Sequence, residues 1–168
     1  LTFMVPLAIS SAASVKIGHA YGQKSYNKVL HYSLSCLVMA TVFMMFTAMV
    51  YFFIPEYVML FATNDPELIK YGAYLFFFVA CFQIPDGIQI VLWGVMRGLN
   101  QTKKPMLISL TCNWLIGLPI GCYLAYKQGM QAAGLWAGLS IGLITVCFGI
   151  GYLFIRTLSA FKEETSSL

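Results

Sequence analysis

The sequence predicts an all-α integral membrane protein with about five transmembrane helices, and three observations carry that reading. The 168 residues are 60% hydrophobic and 10% charged, with a mean hydropathy of +0.78, which is more apolar surface than a soluble chain of this size can bury. Four apolar stretches, roughly 29–54, 71–96, 105–126 and 131–155, are each long enough to cross about 30 Å of hydrocarbon as a helix. Basic residues alternate between the loops: with Lys16, Lys24 and Lys28 inside, Arg97, Lys103 and Lys104 fall inside again, followed by Arg156 and Lys162. Only Lys70 and Lys127 are left outside, so the C-terminus is expected to be cytoplasmic.

The first element, 1–15, is apolar but short, with no cationic region before it and no initiating Met. It is expected to be the end of a truncated helix, and the chain a fragment. His31, Tyr32, Ser33 and Ser35 give the helix 29–54 a polar opening turn near the inner face, where interfacial residues are commonly polar or aromatic. Ile54-Pro55-Glu56 stops that helix. Tyr57 to Ala62 is expected to lie along the interface as a short helix, and Asn64 or Asp65 caps the next helix before a proline at its first position.

Arg97-Gly98-Leu99-Asn100-Gln101-Thr102-Lys103-Lys104-Pro105 combines turn formers with a helix-starting proline and reverses the chain between the segments 71–96 and 105–126. Pro119 predicts a bend in the latter. In 131–155, Gly134, Gly138 and Gly142 recur every four residues, the spacing for close helix packing in membranes. Gly138-Leu139-Ser140-Ile141-Gly142 also spells a nucleophile-elbow pattern, but that motif needs a strand, a turn and a helix, whereas these residues sit inside one apolar helix.

Asp86 is the single acidic residue inside a hydrophobic segment, near the middle of 71–96. A carboxylate at the bilayer centre costs roughly 3 kcal/mol, so its retention points to binding a cation, carrying a proton or contacting a substrate, the plainer reading being a hydrogen bond to a neighbouring helix. Gln83, Asp86, Gln89 and Trp93 follow steps of three and four, and Arg97 continues the stripe to the inner surface. Such a stripe belongs against a water-filled cavity or the bundle interior. Pro85 removes a backbone donor and frees a carbonyl one turn earlier, so a bend and an extra oxygen ligand are expected beside Asp86. Asn113 and Trp114 are further candidates for the cavity, Asn113 having the alternative of bonding across a helix interface.

Other chemistries find no support. Cys36, Cys81, Cys112, Cys122 and Cys147 have neither zinc nor disulfide spacing, and a formal charge of +4 dispersed over short loops is no nucleic-acid surface. There is no HExxH, no phosphate-cradling loop and no second catalytic group at depth, so no enzyme is indicated and no cofactor beyond a coupling ion.

The residues resemble the C-terminal half of the multidrug and toxic compound extrusion (MATE) transporters. The likeness rests on Pro6-Leu7-Ala8-Ile9-Ser10-Ser11-Ala12-Ala13-Ser14-Val15-Lys16-Ile17-Gly18 with Gly22, on Gln83 to Asp86 with Gln89, and on Gly94-Val95-Met96-Arg97-Gly98-Leu99-Asn100-Gln101-Thr102. Trp114 with Gly117-Leu118-Pro119-Ile120-Gly121, and Gly134-Leu135-Trp136-Ala137-Gly138-Leu139, extend it over nearly the whole chain. The resemblance implies a twelve-helix, two-lobe transporter of which this chain is an incomplete C-terminal lobe, exchanging Na+ or H+ for small organic, often cationic, drug-like compounds. It implies a cation site at Asp86, matching an acidic residue on the family's tenth helix, with Gln83 and Gln89 as helpers. The family's acidic residue on the seventh helix and the N-terminal lobe, a required partner, are not in this chain. A bacterial inner membrane is the expected location. The alternatives are a non-transporting fragment or assembly subunit, and a lipid-linked oligosaccharide flippase of the same broader fold, which would line its cavity with basic groups.

Overall fold

Hydropathy decides where this chain is helical, and turn residues decide where each helix stops. The computed structural model describes residues 2–60, 65–127 and 131–166. They form α1 (Met4–Gly22), α2 (Tyr26–Phe53), a short α3 (Pro55–Leu60), α4 (Pro66–Gly98), α5 (Lys103–Cys112), α6 (Leu118–Lys127) and α7 (Gln131–Ser166). A single π turn, Asn113–Gly117, joins α5 to α6 without a break. Among the described residues α2, α4, the α5–α6 rod and α7 are long and apolar enough to cross a membrane, and each covers one of the four apolar stretches to within a residue.

The helix ends follow local chemistry. Asp65 caps α4 by accepting a 3.0 Å hydrogen bond from the backbone N–H of Glu67, with Pro66 at the first helical position; the other capping candidate, Asn64, lies outside the described residues. After α4, Asn100 takes a left-handed φ of 58°, which places the Gln101 N–H 2.8 Å from the carbonyl of Met96 and closes the helix. Lys24 does the same after α1, with φ 52° and the Ser25 N–H 3.1 Å from the carbonyl of Ala20.

Two helices run further than hydropathy foresees. The first was expected over 1–15, yet α1 continues to Gly22 because Ser10, Ala13, Ile17 and Ala20 form one buried stripe that Lys16 does not interrupt. The last was expected to stop at 155, yet α7 continues to Ser166. Phe154, Leu158 and Phe161 recur on one face and cover the ends of the neighbouring helices, with the Phe161 ring 4.8 Å from that of Tyr21. Pro85 does not interrupt α4. Pro119 likewise leaves its rod continuous, and the π turn immediately before α6 takes up its missing N–H.

The long central helix α4 packs against α1, α2 and α7 at once, which buries Val91, Leu92, Val95 and Met96. Large side chains such as Phe46, Phe53 and Phe148 point outward, as lipid-facing residues do. On the far side, α7 lies against the α5–α6 rod along glycines. A Cβ at Gly138 would overlap Gly121 Cα, and one at Gly142 would sit 3.0 Å from Gly117 Cα. The four-residue glycine repeat is therefore a backbone-to-backbone seam.

Candidate functional site

The cavity that contains Asp86 exists because α1 crosses α4 at small residues. A Cβ at Gly94 would overlap the Ser10 carbonyl, and one at Gly98 would lie 2.9 Å from the Ser14 carbonyl, so the two backbones meet at this level. Ser10, wholly buried, locks the crossing: its Oγ donates 2.7 Å to the Ile90 carbonyl and accepts a 3.2 Å hydrogen bond from Arg97 Nη2. Beside the crossing is a cavity of about 350 Å³, lined by Phe3, Leu7 and Ser10 of the N-terminal region and by Asp86, Gln89, Ile90, Trp93 and Arg97 of α4.

Asp86, Gln89, Trp93 and Arg97 thus share one face, as their spacing predicts, and they give the cavity an acidic middle and a basic end. Two buried polar atoms there, Gln89 Oε1 and Trp93 Nε1, have no hydrogen-bond partner among the described residues. Buried polar groups are ordinarily satisfied, so an unpaired acceptor and an unpaired donor on two residues that line the same cavity as Asp86 set this place apart.

Other candidates lie elsewhere. Gln83 is buried but turns to α2, where its Nε2 donates 3.2 Å to Thr47 Oγ1, and it does not line the cavity. Gly87 points the same way, its missing Cβ occupied by Met44. The carbonyl freed by Pro85 is that of Cys81, a residue that lines an apolar hollow against α2 and not the Asp86 cavity. Trp114 is 63% exposed on the bundle exterior, and Asn113 Oδ1 sits against Gly142 of α7. Neither reaches the Asp86 cavity. The sequence reading missed Ser10. The pairing of its Ser-Ser-Ala-Ala-Ser run with Gly94 and Gly98 was the available signal.

The Gln83–Thr47 bond is a local clasp. Gln83→Leu is expected to cost no more than about 1 kcal/mol, because Thr47 keeps its 3.0 Å bond to the Met44 carbonyl and hydrogen bonds between membrane helices are weak. Thermal melting in detergent checks this, and a loss much larger than that would mean Gln83 has a further role.

Among the described residues four helices of membrane-spanning length, one of which lines a cavity holding a carboxylate, define a polytopic integral membrane protein of the helical class. The comparisons make the assignment specific. The MatE family model matches residues 1–123, so the chain belongs to the MatE family of membrane transporters. It is 34% identical over 146 residues to the probable multidrug resistance protein NorM of Acinetobacter baylyi, covering 86% of this chain and 32% of that protein. To the multidrug resistance protein NorM of Burkholderia vietnamiensis it is 35% identical over 159 residues, covering 92% of this chain and 34% of that one. The chain therefore spans about a third of the length of these relatives. The crystal structure of the eukaryotic MATE transporter AtDTX14 superposes on 98% of this chain and 38% of its own, with a TM-score of 0.84 at 20% identity, a likeness of fold.

Proposed function

We propose that this chain is the cation-coupling part of a multidrug efflux antiporter, working with a second lobe in a bacterial inner membrane, its C-terminus cytoplasmic. The observation that carries the proposal is the cavity itself, which Asp86 lines together with Gln89 and Trp93, whose buried Oε1 and Nε1 have no hydrogen-bond partner among the described residues. A Na+ ion bound there would take the carboxylate and the Gln89 oxygen as ligands; a proton would take the carboxylate alone. The Trp93 ring offers an aromatic face to an organic cation. The names of the NorM relatives support drug-like substrates.

The coupling follows from electrostatics. Cation and cationic drug are drawn to one negative field, so each lowers the other's affinity by the same factor. Cation binding outside neutralises Asp86 and releases the drug, and the accompanying change in α4 is transmitted to α1 through the Ser10 crossing.

The test is a reciprocity measurement on a complete transporter carrying this segment. Raising Na+ or lowering pH is expected to weaken binding of a fluorescent organic cation, and the drug is expected to weaken cation binding equally. A drug affinity that ignores both Na+ and pH would rule out the shared field.

A further inference from the structure

A second, basic pocket lies away from that cavity, where the start of α5 faces the last third of α7. Gln101, Lys104, Leu153, Arg156, Thr157 and Ala160 surround about 350 Å³. Its shape comes from the way the two helices meet. One turn deeper they touch, since a Cβ at Gly149 would lie 2.8 Å from Ile108 Cγ2, and from that contact they diverge to leave the pocket open.

Two unlike features are joined here. Lys104 and Arg156 are exposed, and neither forms an ion pair with another described residue. Glu163 and Glu164, the acidic residues further along α7, do not line the pocket. Beside this charge the helices are strongly apolar outside: Met106, Leu107 and Leu110 of α5, with Phe148, Tyr152 and Ile155 of α7, are each at least half exposed. The 36 residues of α7 make a rod of about 54 Å against about 30 Å of hydrocarbon, so its last third emerges from the bilayer at the level of the pocket.

We propose that this pocket binds the phosphate of an anionic phospholipid. The headgroup sits between Lys104 and Arg156, Gln101 meets its polar atoms, and the acyl chains lie along the exposed faces of α5 and α7. Phosphate is the shared chemistry of a lipid and a free anion, and the apolar faces on either side favour the lipid. The arrangement requires that α5 and α7 lie in a bilayer and does not depend on Asp86, so its failure would leave the efflux proposal untouched.

The experiment is native mass spectrometry of a complete transporter carrying this segment, released from detergent containing equal phosphatidylglycerol and phosphatidylcholine. Phosphatidylglycerol is expected to be retained preferentially. Lys104→Gln and Arg156→Gln should each lower that preference about five-fold and together about thirty-fold. Both side chains are exposed, so the helices should form normally, which circular dichroism verifies. Ala160→Phe fills the pocket with both charges intact and should also displace the lipid. An unchanged preference in the double variant would overturn the proposal, as would an equal loss in Lys16→Gln with Lys28→Gln, which removes charge elsewhere. Retention of inorganic phosphate at millimolar concentration, with displacement of the lipid, would show a free-anion site instead.

Discussion

Asp86→Asn is expected to abolish cation-coupled efflux while leaving the protein inserted and at least as stable as before. The two side chains have the same shape, so the cavity wall formed with Gln89, Ile90 and Trp93 is preserved. Only the charge goes. A unit charge pair 4 Å apart in a partly screened site is worth about 4 kcal/mol, so the affinity for the coupling ion should fall about a thousand-fold. The same change removes a charged group costing roughly 3 kcal/mol at the bilayer centre, so the melting temperature in detergent should hold or rise. Cation-driven dye efflux from everted vesicles, paired with a melting curve, separates the two effects. Efflux that persists with its cation dependence intact would mean that Asp86 is a structural carboxylate. A variant that melts far lower would mean that the charge holds the helices together.

The second large effect is expected at Gly94, where a single methyl should dismantle the site from outside it. In Gly94→Ala the new Cβ would overlap the backbone carbonyl of Ser10, and the Ser10 Oγ would be only 2.5 Å away. The helices must separate, at a cost of about 1–3 kcal/mol for overpacking. Separation also breaks the bonds from Ser10 to Ile90 and from Arg97 to Ser10, which define the lower wall of the cavity. Efflux should therefore fall with stability. The controls separate the causes: Ser10→Ala alone loses both bonds of its hydroxyl, about 1 kcal/mol each, but forces no separation of the helices. Adding it to Gly94→Ala should give no rescue, since the obstructing atom belongs to the backbone. Recovery in the double variant would assign the effect to the hydroxyl instead.

The spans were legible in the sequence because hydrocarbon imposes one rule on every residue that meets it, and so was the face of α4 that carries Asp86, Gln89 and Trp93. Steps of three and four fix which side chains share a face, but not which neighbour that face meets. Gln83 is the instructive case, lying at the edge of the stripe and turning to Thr47 because α2, invisible in the spacing, packs on that side. Asn113 turned to α7 for the same reason. The part played by Ser10 required knowing that α1 crosses α4 at Gly94, a contact between residues 84 positions apart. The extent of α7 was hidden because its final turns are amphipathic, with Lys162, Glu163 and Glu164 around the buried Phe161.

The glycine seam between α7 and the α5–α6 rod has a genetic consequence. Every amino-acid substitution away from glycine adds at least a Cβ, and at Gly138 even the smallest would overlap a backbone atom of Gly121. Such a position offers evolution no gradual route: a neighbouring sequence either keeps the glycine or must move both helices at once. Screens of random variants should find loss-of-function alleles concentrated at Gly138 and at Gly134, whose Cβ would lie 2.5 Å from the backbone nitrogen of Ala125, far from any residue that touches an ion or a drug.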